Sequence, residues 1–411
     1  MKKVVFISST FNQVGGGERL ILEGIRYYED KGYEVFLITW NFSEQSLFNN
    51  KYTVNNLINL NSDDKFNISS YKFAFKKLTK IFNLRRKIFF IKPDFIISPS
   101  ENDTTFLYLT LLFSKFKYST LIFGQMFQIP EDPTRYSLIF KKNLKNIVDS
   151  FVGYKETISL KKPKLSLIKN FIIEIWSILK YIAVKNSDSI IVFSKQVQWE
   201  VNLLYGRDAT IQKGAFRRSE LDSTLKENLK FDFKESKSQI ILLMINRLEK
   251  KKRTDLAIKS VKFLNDNNID VKLIIGGKGR EIDNLKHLTN KYKIENKVIF
   301  LGYVAEENLD SIVSSIDIFL SLDIADFNIS PFSALVLKKP VIWTEEMDMD
   351  EFLKKSKLIS VVKPSPENVA NAIQNLIINL KTDFYKEINI SFLDNYTYEK
   401  YFDTIEITTL S

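Results

Sequence analysis

Residues 240–281 read IILLMINRLEKKKRTDLAIKSVKFLNDNNIDVKLIIGGKGRE. The run 240–245 is apolar throughout, as in a strand covered on both faces, and it stops at Asn246. A basic turn, Arg247-Leu248-Glu249-Lys250-Lys251-Lys252-Arg253, leads to a helix over 254–265. A second apolar strand over 270–276 then closes on Gly276-Gly277-Lys278-Gly279 and enters a helix over 281–292. Strand, helix, strand and helix in this order form a βαβ series, whose strands lie parallel.

Outward from this stretch the alternation continues. Strands are expected over 297–301, 316–320, 340–343 and 359–362, with helices over 306–315, 331–337 and 366–379. On the N-terminal side, residues 216–238 are charged and poor in aliphatics, which fits a linker. Further back, strands over 3–8, 34–39, 94–98, 118–123 and 189–193 alternate with helices over 18–31 and 71–91. The fold class is α/β, with two Rossmann-like domains facing each other across a cleft. The expected bounds are a basic first domain over 1–215 with an insertion around 131–180, a linker over 216–238, and a second domain over 239–385. The last residues, 386–411, form a C-terminal segment. Ligands of such sheets bind at the strand carboxyl ends.

Composition narrows the chemistry. The 411 residues include no cysteine and one histidine, which excludes disulfides, thiolate nucleophiles and cysteine zinc sites. His287 sits in a helical run beside Leu285 and Leu288 and reads as a surface or packing residue. Carboxylates, Lys/Arg, hydroxyls and backbone remain for the work. The net charge of +11 is concentrated: residues 51–200 carry 24 Lys/Arg against 12 Asp/Glu, while residues 201–411 carry 31 of each. A localised positive surface suits an anionic partner.

No secretory signal is expected, because the apolar run after the basic start covers only 4–7. The apolar stretch 165–184 contains Lys169, Glu174 and Lys180, each costly at a bilayer centre, and reads as a buried or interfacial helix. A cytoplasmic protein is expected, peripheral on the inner face of the membrane in one reading.

The first strand is followed by Gly15-Gly16-Gly17-Glu18-Arg19 at a helix start, a place where backbone amides approach a phosphate. Together with Asn246-Arg247-Leu248 and Lys252, Gly277-Lys278-Gly279, Phe300-Leu301-Gly302-Tyr303-Val304, and Lys339-Pro340-Val341-Ile342, the chain resembles the GT-B glycosyltransferases of group 1, family GT4. The resemblance implies transfer of a sugar from a nucleotide-diphosphate sugar with retention of configuration, and no metal or other cofactor. It also implies that the C-terminal segment 386–411 returns to the first domain. It assigns Arg247 and Lys252 to the leaving diphosphate. It assigns Gly15, Gly16, Gly17, Gly277, Tyr303, Val304, Asn328, Ile329, Ser330 and Ser333 to the donor. Two basic groups five residues apart across a strand-to-helix turn can neutralise a departing diphosphate, and a phosphate oxygen can take the acceptor proton.

The chain departs from the family at two places. The family's ExxxxxxxE motif falls on Ala325 and Ser333, so both glutamates are absent, with Asp326 one residue out of register as a candidate replacement. The first-domain histidine of the family falls on Gln125, the candidate acceptor-side residue. An altered but active donor site and a non-catalytic accessory subunit supporting a partner glycosyltransferase both follow from this. An epimerase on the same fold is a third reading, disfavoured by the scarcity of histidine and of acidic residues in recognisable positions.

The expected acceptor is a saccharide or lipid-linked saccharide of surface glycan biosynthesis. Residues 71–91 place Lys72, Lys76, Lys77, Lys80, Arg85, Arg86 and Lys87 opposite aromatic and aliphatic residues. Such a helix suits an anionic membrane surface, or else it is a core helix with solvated lysines. Nucleic acid is not expected as a partner, since no nucleic-acid module accompanies the charge.

Overall fold

The computed structural model describes all residues except 13–14, 48–50, 61–71, 124–133, 135–136, 151–165, 217–230, 324–326, 347–348, 381 and 383. The chain divides into two units, Met1–Ala215 with Tyr398–Ser411, and Phe216–Thr397.

The first unit holds a seven-stranded parallel sheet in the order β3-β2-β1-β4-β5-β6-β7. Its strands are β1 (Lys3–Ser8), β2 (Glu34–Thr39), β3 (Leu57–Asn59), β4 (Phe95–Ser98), β5 (Lys117–Ile122), β6 (Ser189–Val192) and β7 (Thr210–Ile211). The helices between them are α1 (Gly16–Asp30), α2 (Lys72–Ile91), α3 (Glu101–Leu111), α4 (Leu138–Ser150), α5 (Leu167–Lys185) and α6 (Lys195–Tyr205). The last helix of the chain, α13 (Tyr398–Leu410), returns to this unit. Thr409 Oγ1 meets the hydroxyls of Ser119 and Ser189 on β5 and β6, and Lys31 Nζ of the loop after α1 donates to Asp403 at 2.5 Å.

The second unit holds a six-stranded parallel sheet in the order β10-β9-β8-β11-β12-β13. The strands are β8 (Ile240–Ile245), β9 (Val271–Gly276), β10 (Val298–Gly302), β11 (Ile318–Ser321), β12 (Val341–Thr344) and β13 (Ile359–Val362). The intervening helices are α7 (Thr254–Asp266), α8 (Ile282–Tyr292), α9 (Glu306–Ser314), α10 (Ser330–Val336), α11 (Glu351–Lys355) and α12 (Pro366–Leu380). The central strands β8, β9, β11 and β12 are buried almost end to end, which is why they carry no alternation. In both sheets the strand order reverses beside the first strand of the unit, between β1 and β4 and between β8 and β11. Connections leave in opposite directions there, opening a crevice at the carboxyl ends.

Several elements lie outside the sequence expectation. The edge strands β3 and β7 have three and two residues, too few for a pattern to register. The helix α3 is apolar on several sides and rich in threonine. Its start is set by the N-cap Ser100, whose Oγ accepts from Asp103 N while donating to Asp103 Oδ2.

The helix α5 turns its apolar residues outward. Leu167, Ile168, Phe171, Ile175 and Ile178 are exposed, Leu167 by 88%, while Lys180 is buried and donates to Thr134 Oγ1 at 2.8 Å. Among the described residues no helix is long and apolar enough to cross a membrane. On α2, Leu84, Ile88 and Ile91 are buried and Phe82 and Phe90 exposed. One of its basic residues is built into the packing of the unit. Arg85 donates to the carbonyls of Thr110 and Leu112 at the end of α3 and lies 4.4 Å from the Phe89 ring.

Candidate active site

The second sheet collects the candidate residues at the carboxyl ends of four adjacent strands. Arg247 and Lys252 leave β8, Gly277 leaves β9, Tyr303 and Val304 leave β10, and Asn328, Ile329, Ser330 and Ser333 follow β11. The loop after β8 is held from below by Leu248, which is fully buried. Its backbone runs along the loop after β9: Asn246 N donates to Gly276 O, Leu248 N to Lys278 O, and Glu281 N to Leu248 O, at 3.1, 2.9 and 3.0 Å.

The two loops lie so close that side chains cannot separate them. A Cβ on Gly277, whose φ is +132°, would stand 1.8 Å from Asn246 O, and one on Gly279 would stand 2.2 Å from Leu248 O. These glycines therefore set the height at which the basic turn sits over the sheet. Val304 seals the next position, packing where a Cβ on Gly276 would fall. The exposed ring of Tyr303 has Lys278 Nζ 5.9 Å from its centroid.

The basic turn itself is not uniform. Lys250–Lys252 form one turn of 3-10 helix, and Arg253 follows with φ +52°. Lys250 is exposed. Arg253 is committed to the fold: its Nη1 and Nη2 donate to the two carboxylate oxygens of Glu346, beyond β12, the second at 3.1 Å. Lys252 Nζ donates to Asp323 Oδ2 at 2.6 Å. Arg247 is 68% exposed and pairs with Glu249 at 3.3 Å. Burial holds the Lys251 ammonium below its usual range; Glu249 opposes that shift, and the nearby charges of Lys252 and Arg247 add to it. The turn thus presents a cluster of positive charge at the crevice between β8 and β11, where an anion would bind.

Asp323 is the residue that sequence reasoning missed. It follows β11, is 2% exposed, and gathers three donors: Lys252 Nζ on Oδ2, and Ser321 Oγ at 3.3 Å and Asn328 Nδ2 at 3.2 Å on Oδ1. Thr344 Oγ1 donates to its carbonyl at 3.4 Å. The signal was present as an acid ending the apolar run IFLSLD, 318–323.

Ser333 is nearly buried on α10, and Ile329 packs against the core of this unit, which gives it a structural role. Ala325, Asp326 and Gln125 lie outside the described residues, as do Lys161, Lys162 and Lys164 of the expected insertion and most of the expected linker. His287 is exposed on α8. Among the described residues there is no group of three or more His, Cys, Asp or Glu able to hold a metal ion.

In the first unit, Gly15 precedes α1 in extended conformation and Gly16 and Gly17 open the helix. They stand at the carboxyl end of β1, at the strand-order reversal of their own sheet. Nearby on this sheet Asp103 accepts from Ser9 N at 2.8 Å, joining the loops after β1 and β4.

Comparison with known proteins bears on the fold and on the second unit. Residues 226–387 match the family model described as glycosyl transferases group 1. A protein described as an uncharacterized glycosyltransferase of Methanocaldococcus jannaschii is 24% identical over 233 residues, which span 54% of this chain and 58% of that protein's length. The crystal structure of a glycosyltransferase from Rickettsia africae superposes with a TM-score of 0.68 at 17% identity, covering 99% of this chain and 97% of the other. Anabaena HepE in complex with UDP gives 0.69 at 13% identity, with 99% of each chain covered. Sucrose-phosphate synthase of Thermosynechococcus elongatus gives 0.69 at 13% identity, covering 99% and 98%. The chain therefore has the two-domain GT-B fold, and residues 226–387 of its second unit are similar to the group 1 glycosyl transferases.

Proposed function

We propose that this protein is a retaining glycosyltransferase, moving a sugar from a nucleotide-diphosphate sugar to a saccharide or lipid-linked saccharide acceptor in surface glycan biosynthesis. The observation that carries the reading is the pair Arg247 and Lys252 at the strand-order reversal of the domain that matches the group 1 model. Support comes from structural neighbours of the same fold that bind UDP and UDP-glucose.

In this mechanism the bond from the sugar's anomeric carbon to the β-phosphate oxygen breaks while the acceptor oxygen bonds to that carbon on the same face. The acceptor proton passes to the departing phosphate oxygen. Lys252 and Arg247 stabilise the negative charge that grows on the diphosphate, which is the interaction that lowers the barrier. Gly15, Gly16, Gly17, Gly277, Tyr303, Val304, Asn328, Ser330 and Ser333 are assigned to the donor and Gln125 to the acceptor side, and no cofactor takes part. The basic, apolar-faced helices α2 and α5 would bring the enzyme to an anionic membrane surface.

Calorimetric titration with UDP, GDP and ADP tests the donor reading, with saturable binding of at least one expected. The second reading, a non-catalytic accessory subunit, rests on Ala325 and Ser333 in place of both motif glutamates. It predicts no binding of any of the three.

A further inference from the structure

Asp323 holds a charge in a place where an unpaired carboxylate is costly, and the surrounding contacts show how it is used. Its Oδ1 takes two neutral donors, Ser321 Oγ and Asn328 Nδ2, and its Oδ2 takes the ammonium of Lys252. The Lys252 side chain is only 16% exposed, so its long chain is held rather than waving in solvent. A lysine ammonium has three N–H groups. One is used by Asp323, which leaves two directed away from the carboxylate. Asn328 is fixed by the same carboxylate, and its own amide also reaches Ser321 Oγ at 3.4 Å.

Resting on the donor-site reading above, we propose that Asp323 is the positioning residue of the diphosphate site, fixing Lys252 and Asn328 together at the β8–β11 reversal. It stands two residues before the place where the first motif glutamate is missing. The carboxylate thereby supplies the preorganisation of the site from a different backbone position. A group that positions Lys252 strengthens diphosphate binding even though it is itself an anion beside an anion. Pure competition for the lysine would do the opposite, so the sign of the effect decides the matter.

The test is calorimetric binding of UDP and of UMP to the full chain and to Asp323→Asn, with melting temperatures recorded for both. The expected result is a loss of UDP affinity of about tenfold or more, the scale of one charge-assisted contact, with UMP affinity changed much less. Adding Lys252→Ala to Asp323→Asn should then weaken UDP binding by a smaller factor than it does in the wild-type chain, because the two residues act as one unit. If Asp323→Asn does not fold, Ser321→Ala removes one of the donors that orient the carboxylate. It should weaken UDP binding a few-fold and leave UMP unchanged. Unchanged or tighter UDP binding in these variants, or equal losses for UDP and UMP, overturns the inference while the donor site stands. A wild-type chain that binds none of UDP, GDP or ADP overturns both.

Discussion

The reversal loops of the two sheets are joined in different ways. In the first unit the loops after β1 and β4 meet through Asp103, a buried carboxylate satisfied by Ser9 N and Ser100 Oγ, both neutral donors. In the second unit the loops after β8, β11 and β12 meet through Lys252–Asp323 and Arg253–Glu346, each a cation with a carboxylate. Among the described residues, the same crevice geometry therefore shows neutral donors at that junction of the first unit and a cluster of cations in the second. Burial raises the pKa of Asp103, as expected where no positive charge offsets desolvation. The difference teaches that the fold supplies the crevice, while the side chains placed on its rim decide the charge it presents.

The comparison breaks most sharply at Lys252. Lys252→Ala should lower turnover by about 2.7–4 kcal/mol of transition-state stabilisation, the scale for losing one preorganised donor. It should also destabilise the second unit, by up to about 3 kcal/mol, because Asp323 is left buried without its counter-ion. Arg247→Ala, from an exposed side chain, should lower turnover without that loss of stability. Steady-state kinetics beside thermal unfolding would separate the two effects, and equal turnover in both variants and the wild type would sink the assignment.

Next in size is Arg253→Ala. It leaves Glu346 without its bidentate partner, so the second unit should lose about 1.5–3 kcal/mol in denaturant unfolding. Nucleotide affinity, measured where the variant is fully folded, should change little, which would sharpen the distinction between the two adjacent cations.

Asp103 gives a smaller effect with a defined sign. Its folded-state pKa is raised, so the folded chain binds more protons than the unfolded chain between the unfolded and folded values. Its contribution to stability is present at low pH and is lost as pH rises through the folded pKa. Asp103→Asn should therefore flatten the pH dependence of first-unit unfolding across the carboxylate range, with UDP binding unaltered. An unchanged slope would show that the buried carboxylate is not the source.

The smallest expected effect concerns the exposed residues of α5. Co-sedimentation with vesicles of anionic lipid at low salt should fall when Phe171 and Ile175 are replaced by serine, and should fall for the wild type as salt rises. Equal sedimentation of variant and wild type would assign these side chains no part in membrane contact.

Much of the fold was legible because burial writes itself locally. The strands over 3–8, 34–39 and 240–245 have the bounds that their pattern predicts, since consecutive apolar residues covered on both faces leave little room for an alternative. The helix α3 was not legible, because its threonines at 104, 105 and 110 are buried and its apolar residues share no single face. The helix α5 was legible as a helix but not in its orientation. A buried lysine and exposed isoleucines invert the rule that reads a face from its polarity.

The sequence by itself determined the two βαβ series, the glycine loops and the location of a basic turn after β8, because each depends on neighbours within a few residues. It could not say which carboxylates the basic residues of that turn meet. Lys252 meets Asp323 across 71 positions and Arg253 meets Glu346 across 93, and these meetings follow from a strand order that places β8 between β9 and β11. Likewise, only the packed structure supplies the contact that seats the expected C-terminal helix on the first unit, Lys31 donating to Asp403 across 372 positions. Hydrophobic pattern is a local property of the chain. Charge pairing is a property of the assembled sheet, and at this site it seats two adjacent cations, Lys252 and Arg253, on carboxylates that follow two different strands.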